Sequence, residues 1–117
     1  MASFVLSLHS SPSHSNSVIN LVQFANTCLQ QAHEIKAIFL YQDAVWHASS
    51  NFMIPTDEYQ FTAQWHTLSD AAIPLLLCVT AAEKRGLDLS SCSPFQVAGL
   101  AEFAMTAATA DKWVQFK

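Results

Sequence analysis

Three cysteines and five histidines hold most of the nucleophilic and titratable chemistry of this 117-residue chain. Cys78 has the most informative surroundings. It stands in the run Ile73-Pro74-Leu75-Leu76-Leu77-Cys78-Val79-Thr80-Ala81-Ala82-Glu83-Lys84-Arg85-Gly86. Ile73 to Leu77 is apolar, with Pro near its head where a missing N–H does little harm, and predicts a short buried strand. Thr80 to Arg85 favours helix, and Gly86 supplies the stop. Cys78 then sits at the carboxyl end of a strand, beside the first N–H groups of a helix. Unpaired amides and the helix dipole favour negative charge there, which suits a nucleophilic thiolate. The same residue supports a second reading, a packed structural thiol, because free cysteines are among the most buried residues.

The other candidates are less well placed. Cys28 falls on the apolar face of a helical pattern and reads as core. Cys92 lies in Ser90-Ser91-Cys92-Ser93-Pro94, a loop where it could be exposed, with no base placed beside it. His9, His14 and His47 lie in loops that could approach Cys78 and add positive charge, or they are ordinary loop histidines. His9 and His14 lack a third ligand for a metal site. His66 lies off its helix's inner stripe and reads as solvated. Glu83 reads as solvated or paired with Lys84 or Arg85. The three cysteines show no CxxC spacing, so neither a disulfide framework nor a structural zinc site is predicted.

The elements that must position Cys78 alternate between strand and helix. Phe4 to Leu8 predicts a first strand, followed by the polar loop His9 to Ser17, which has no Gly-rich phosphate cradle. Ser15 or Asn16 can cap a helix whose inner face is Val18, Leu21, Val22, Ala25, Cys28 and Leu29. Ile35 to Tyr41 reads as a doubly covered strand. Ala44 to Ala48 predicts a helical turn, and Ser49 to Pro55 an apolar loop that either folds back as a lid or, the reading favoured, meets another chain. A second helix is expected to start at Thr56 or Asp57, with Phe61, Trp65, Leu68 and Ala72 inward. Ser93 followed by Pro94 reads as the start of an apolar helix running to about Ala108, covered on more than one side. Lys112 to Phe116 closes the chain as a last strand. The alternation predicts one α/β domain over residues 1–117, a three-layer α/β/α fold around a mostly parallel sheet of four to five strands. In such sheets working residues gather at the carboxyl ends of the strands, so the His9 to Ser15 loop, the Gln42 to Ser50 stretch and Cys78 are expected to meet near one place.

Composition narrows the function classes. The net charge of −4 and pI of about 5.6 argue against a dedicated nucleic-acid surface. Charged residues are 12% of the chain, about half the usual share, while apolar residues reach 51%. So small a charged share predicts surface buried against other chains, and hence an obligate oligomer. No apolar run is long enough to span a membrane. The first residues lack a signal peptide's basic lead and long apolar region, so a cytoplasmic location is expected.

The run from Cys78 to Gly86 resembles the cysteine motif of the DsrE/TusD family of sulfur-relay proteins, on its TusD side more than its DsrE side. Phe39-Leu40-Tyr41-Gln42-Asp43-Ala44-Val45-Trp46 is similar to that family's second strand and following turn. Ala108 to Phe116 is similar to its C-terminal end. Ser10, Ser11 and Pro12 depart from the family's first loop, which often carries Gly. The resemblance implies a layered α/β domain assembled with TusB- and TusC-like subunits, and a persulfide carried on Cys78. It implies sulfur arriving from a TusA-like donor and leaving to a TusE-like acceptor, for 2-thiolation of the wobble uridine of certain tRNAs. No metal or organic cofactor is implied.

Competing readings are a DsrE-type subunit of a sulfur-oxidation complex, a non-catalytic assembly subunit, and a cysteine-dependent hydrolase. The last would need a positioned His and an oxyanion site that the sequence does not display.

Overall fold

The computed structural model describes residues 1–49 and 52–117. In chain order it comprises β1 Ser3–Leu8, α1 Ser15–Gln30, β2 Glu34–Leu40, a 3₁₀ helix Gln42–Ala48 and α2 Phe61–Asp70. There follow β3 Leu75–Cys78, α3 Val79–Lys84, a 3₁₀ turn Leu89–Ser91, β4 Gln96–Ala98, α4 Leu100–Thr109 and β5 Lys112–Phe116. The strands form one five-stranded sheet in the order β4-β3-β2-β1-β5, with every neighbouring pair parallel. This is the layered α/β fold that the alternation of strand and helix predicts.

Both faces of the sheet are covered, which explains the unbroken apolar character of its central strands. Phe24 of α1 packs edge-on against Phe4 of β1 and Phe116 of β5. On the opposite face Phe103 of α4 stacks on Phe39 of β2 at 4.4 Å and meets Trp113 of β5 at 5.4 Å. Between these layers Val5, Leu6, Leu8, Ile38, Leu40 and Leu77 are completely buried. Leu76 is in register with Phe39, so Leu76 and Cys78 two residues on share the α4 face. Among the described residues no helix is long and apolar enough to cross a membrane.

Several boundaries differ from those the sequence predicts. Neither Ser15 nor Asn16 caps α1. Ser15 is already helical, and His14, which precedes it, makes no side-chain capping bond. On that helix Leu29 is 38% exposed, outside the core stripe. α2 begins at Phe61, because Gln60 Nε2 donates to the carbonyls of Pro55 and Glu58 and fixes a turn ahead of the helix. Asp57 and Glu58 therefore lie outside α2. Ala72 leaves it in a left-handed conformation at φ 66° and is exposed, while Phe61, Trp65 and Leu68 are buried as expected. The expected loop 49–55 includes residues 50 and 51, which lie outside the described residues.

The largest correction concerns residues 93–99. Ser93 is not a helix cap. Phe95 N donates to Cys92 O in a turn, and Gln96–Ala98 then pairs with β3 as an edge strand. α4 starts only at Leu100, after Gly99. Its burial also differs. Phe103 is its buried residue, while Leu100 and Met105 are 53% and 73% exposed.

Candidate active site

β3 delivers Cys78 to the carboxyl edge of the sheet. Cys78 is the last strand residue and also the residue before the first turn of α3, with extended backbone at φ −63° and ψ 115°. The helix starts at Val79, one residue earlier than the pattern predicts, and stops as the sequence foretells. Gly86 takes φ 73°, its N–H donates to Glu83 O, and Leu87 N–H reaches back to Ala82 O. These paired bonds satisfy carbonyls at the helix end and require a residue at ease with positive φ. α3 is thus only six residues long, so its dipole supplies less charge than a long helix would.

Cys78 is 3% exposed, yet it is not sealed off. It forms part of the wall of an open cleft of about 390 Å³. Tyr41 and Gln42 line this cleft from the end of β2, Thr80, Ala81, Lys84 and Arg85 from α3, and Leu100 from α4. The ends of three successive structural units therefore converge on the sulfur, as an open parallel sheet favours. Gln42 sits there with φ 53°, a left-handed conformation that costs a non-glycine residue on the order of 1 kcal/mol.

One ion pair braces the walls. Arg85 Nη2 lies 2.9 Å and Nε 3.0 Å from Asp43 Oδ1, while Nη1 donates to Ala81 O at 3.1 Å. This guanidinium ties the 3₁₀ helix to α3 across the cleft. The pairing of Arg85 with Glu83 that the sequence allowed does not occur. Lys84 also lines the cleft and is exposed. Gln42 and Asp43 belong to the Gln42 to Ser50 stretch that the sequence places beside Cys78, whereas Tyr41, Thr80 and Leu100 are not singled out by it. The signal for Tyr41 and Gln42 was their position, just past the end of a predicted parallel strand.

The three loop histidines do not line this cleft. His47 is 4% exposed and belongs to the core. Trp65 Nε1 donates to its Nδ1 at 3.2 Å, so Nε2 carries the proton, and Nε2 has no hydrogen-bond partner among the described residues. Burial pushes the His47 pKa down to about 3, because a charged ring there would lack the water that stabilises it in solution. His9 comes nearer. Its ring meets Tyr41 at 5.8 Å, it hydrogen-bonds Gln42, and its Nε2 is 3.2 Å from Ser7 Oγ. Burial lowers its pKa, the Gln42 bond opposes this, and Lys117 adds to the lowering. It touches two wall residues without forming the wall itself. His14 stays in its own loop, 3.3 Å from Ser11 Oγ. His66 is exposed, as its off-stripe position predicts.

The remaining cysteines are core groups. Cys28 is buried in α1, and burial raises its thiol pKa. Cys92 is buried as well, although its loop position allowed exposure, with Sγ 3.3 Å from Leu89 O and 3.4 Å from Phe95 O. All three cysteines are free. Among the described residues no group of three His, Cys, Asp or Glu side chains is arranged to hold a metal.

A family model described as the DsrE/DsrF-like family matches residues 1–116. The chain belongs to that family. Among curated relatives, it is 33% identical over 105 residues to the sulfurtransferase TusD homolog of Pasteurella multocida, covering 79% of this chain and 82% of the relative. It is 34% identical over 107 residues to sulfurtransferase TusD of Klebsiella pneumoniae, covering 80% and 84% of the two chains. The crystal structure of the ychN protein from E. coli superposes with a TM-score of 0.86, covering 99% of this chain and 100% of that one at 24% identity. At that identity the likeness establishes a shared fold. The DsrE/DsrF-like assignment agrees with the resemblance carried by the Cys78 motif.

Proposed function

We propose that the chain is a sulfurtransferase that carries a persulfide on Cys78. The supporting observation is the placement of this thiol in the wall of an open, partly cationic cleft at the carboxyl edge of a parallel sheet. Neither Cys28 nor Cys92 lines this cleft. The curated relatives named sulfurtransferase TusD add weight from a separate direction. In the exchange, the Cys78 thiolate attacks the outer sulfur of a donor persulfide and the donor thiolate leaves. Cys78–SH and R–S–SH become Cys78–S–SH and R–SH, with no net oxidation. An acceptor thiolate then attacks the outer sulfur and releases Cys78. Neither step needs a metal or an organic cofactor.

In the fuller form of this reading, residues 1–117 act as one domain in the cytoplasm, in a hetero-oligomer with TusB- and TusC-like subunits. A TusA-like protein supplies the sulfur and a TusE-like protein receives it, for 2-thiolation of tRNA wobble uridine. The chain itself makes no direct nucleic-acid contact, in keeping with its net charge of −4. Exposed Leu100, Met105 and Trp113 provide apolar surface for the subunit contacts.

The test is sulfur uptake by intact mass. The purified protein is treated with a low-molecular-weight persulfide, and wild type is compared with Cys78→Ser, Cys28→Ser and Cys92→Ser. The expected result is a gain of one sulfur that disappears only in Cys78→Ser. An unchanged gain in Cys78→Ser would reject the proposal. Acylation of Cys78 by an ester probe without sulfur uptake would favour a hydrolase. Transfer onto a TusE-like acceptor but not onto components of a sulfur-oxidation complex would fix the end pathway.

A further inference from the structure

Two of the chain's five Lys and Arg side chains line the Cys78 cleft, although the chain as a whole is acidic. They are neighbours in sequence, and the structure uses them differently. Arg85 is committed. Its Nε and Nη2 both reach Asp43 Oδ1, at 3.0 and 2.9 Å, and its Nη1 is held by Ala81 O. Its charge is compensated by a carboxylate and its fork is fixed by a helix carbonyl. Lys84 has no hydrogen bond or ion pair among the described residues. Its ammonium is therefore the uncompensated positive charge of the cleft. The nearby histidines do not replace it, because His47 is buried elsewhere and burial lowers the pKa of His9.

We propose that Lys84 is the positioning residue that attracts the anionic outer sulfur to Cys78 and holds it there, with Arg85 as the brace of the cleft. This rests on the persulfide reading above. A persulfide ends in a sulfur anion, and a flexible ammonium on a four-carbon stem can follow that sulfur as it arrives and departs. A guanidinium locked onto Asp43 cannot. The division also explains why the cleft needs adjacent cations. One shapes the walls by joining the 3₁₀ helix to α3, and the other remains free to meet an anion.

The test compares alkylation of Cys78 by iodoacetate, an anion, and iodoacetamide, its neutral analogue. Both are quantified on the Cys78 peptide, which separates Cys78 from Cys28 and Cys92. Lys84→Gln is expected to lower the iodoacetate-to-iodoacetamide rate ratio by about three- to tenfold at low salt, the range for one charge sharing a partly hydrated cleft with the thiol. The effect should shrink at high salt. Lys84→Arg should restore the ratio. Asp43→Asn, which frees the charge of Arg85, should raise it. A fold that merely tolerates Lys84 would leave the ratio unmoved.

Sulfur uptake is followed in the same proteins. Lys84→Gln should slow it, and Lys84→Arg should restore it. If wild type takes sulfur on Cys78 while Lys84→Gln keeps both the alkylation ratio and the uptake rate, this inference fails and the relay reading stands. If wild type takes no sulfur on Cys78, the relay reading fails and takes the inference with it.

Discussion

Lowering the pH from 7 to 5 should destabilise the fold through His47. In the folded chain this ring is 4% exposed, with its pKa pushed from the ordinary 6.5 to about 3 by burial. The unfolded chain releases the ring to water, where it titrates near its ordinary value. Between these values the unfolded state binds a proton that the folded state refuses, so stability is present above about 6.5 and is lost as pH falls toward 3. At pH 5 the gap is about 1.5 pH units below the unfolded value, or about 2 kcal/mol. The folded value lies so far below pH 5 that the folded ring stays neutral there, and the unfolded value alone sets this figure. The assay is urea unfolding followed by tryptophan fluorescence at both pH values, with protein concentration fixed. His47→Asn is the comparison, since its side-chain oxygen can still accept the Trp65 Nε1 bond. Groups common to both proteins cancel in the difference. Wild type should lose about 2 kcal/mol more than the variant between pH 7 and 5. Equal losses, or a His47 ring that titrates near 6.5 by NMR in the folded protein, would refute the reasoning.

Two further predictions concern the scaffold of the cleft. Gly86→Ala meets no atom within 4 Å of the added methyl group, so its cost comes from the left-handed backbone at φ 73° alone. It should lower stability by about 1 kcal/mol and the thermal midpoint by about 4 °C, and an unchanged midpoint would contradict the Gly86 turn. Phe103→Ala removes the ring stacked on Phe39 at 4.4 Å and the edge contact with Trp113. Urea unfolding should register a loss of about 3–4 kcal/mol, and a loss below about 1 kcal/mol would mean that α4 is not seated on that face.

The sequence carried the sheet and the place of Cys78 well, because parallel strands buried on both faces must be continuously apolar. Ile38 to Leu40 and Leu75 to Leu77 are such runs, and Lys112–Phe116 is a strand with the bounds its pattern predicts. β4 was not legible. Gln96–Ala98 is three residues long, too short for a periodicity, and exists by pairing with β3, about twenty positions earlier in the chain. The start of α2 was lost to a similar cause. Thr56 and Asp57 look like a helix start, but Gln60 folds its amide back onto Pro55 and Glu58. The burial of His47 depends on period. In a 3₁₀ helix residues three apart share a face, so His47 follows Ala44 into the core, where Trp65 meets it. The Arg85–Asp43 brace joins residues 42 positions apart, a distance over which local pattern says nothing.

The central claim is that sulfur is carried on Cys78 and on neither Cys28 nor Cys92. The most direct measurement is peptide-level mass spectrometry of the wild-type protein after exposure to a persulfide donor and trapping with an alkylating reagent. The account predicts the added sulfur on the peptide containing Cys78, with Cys28 and Cys92 unmodified. Sulfur found on Cys28 or Cys92, or an unmodified Cys78 in protein that has gained sulfur, would contradict it.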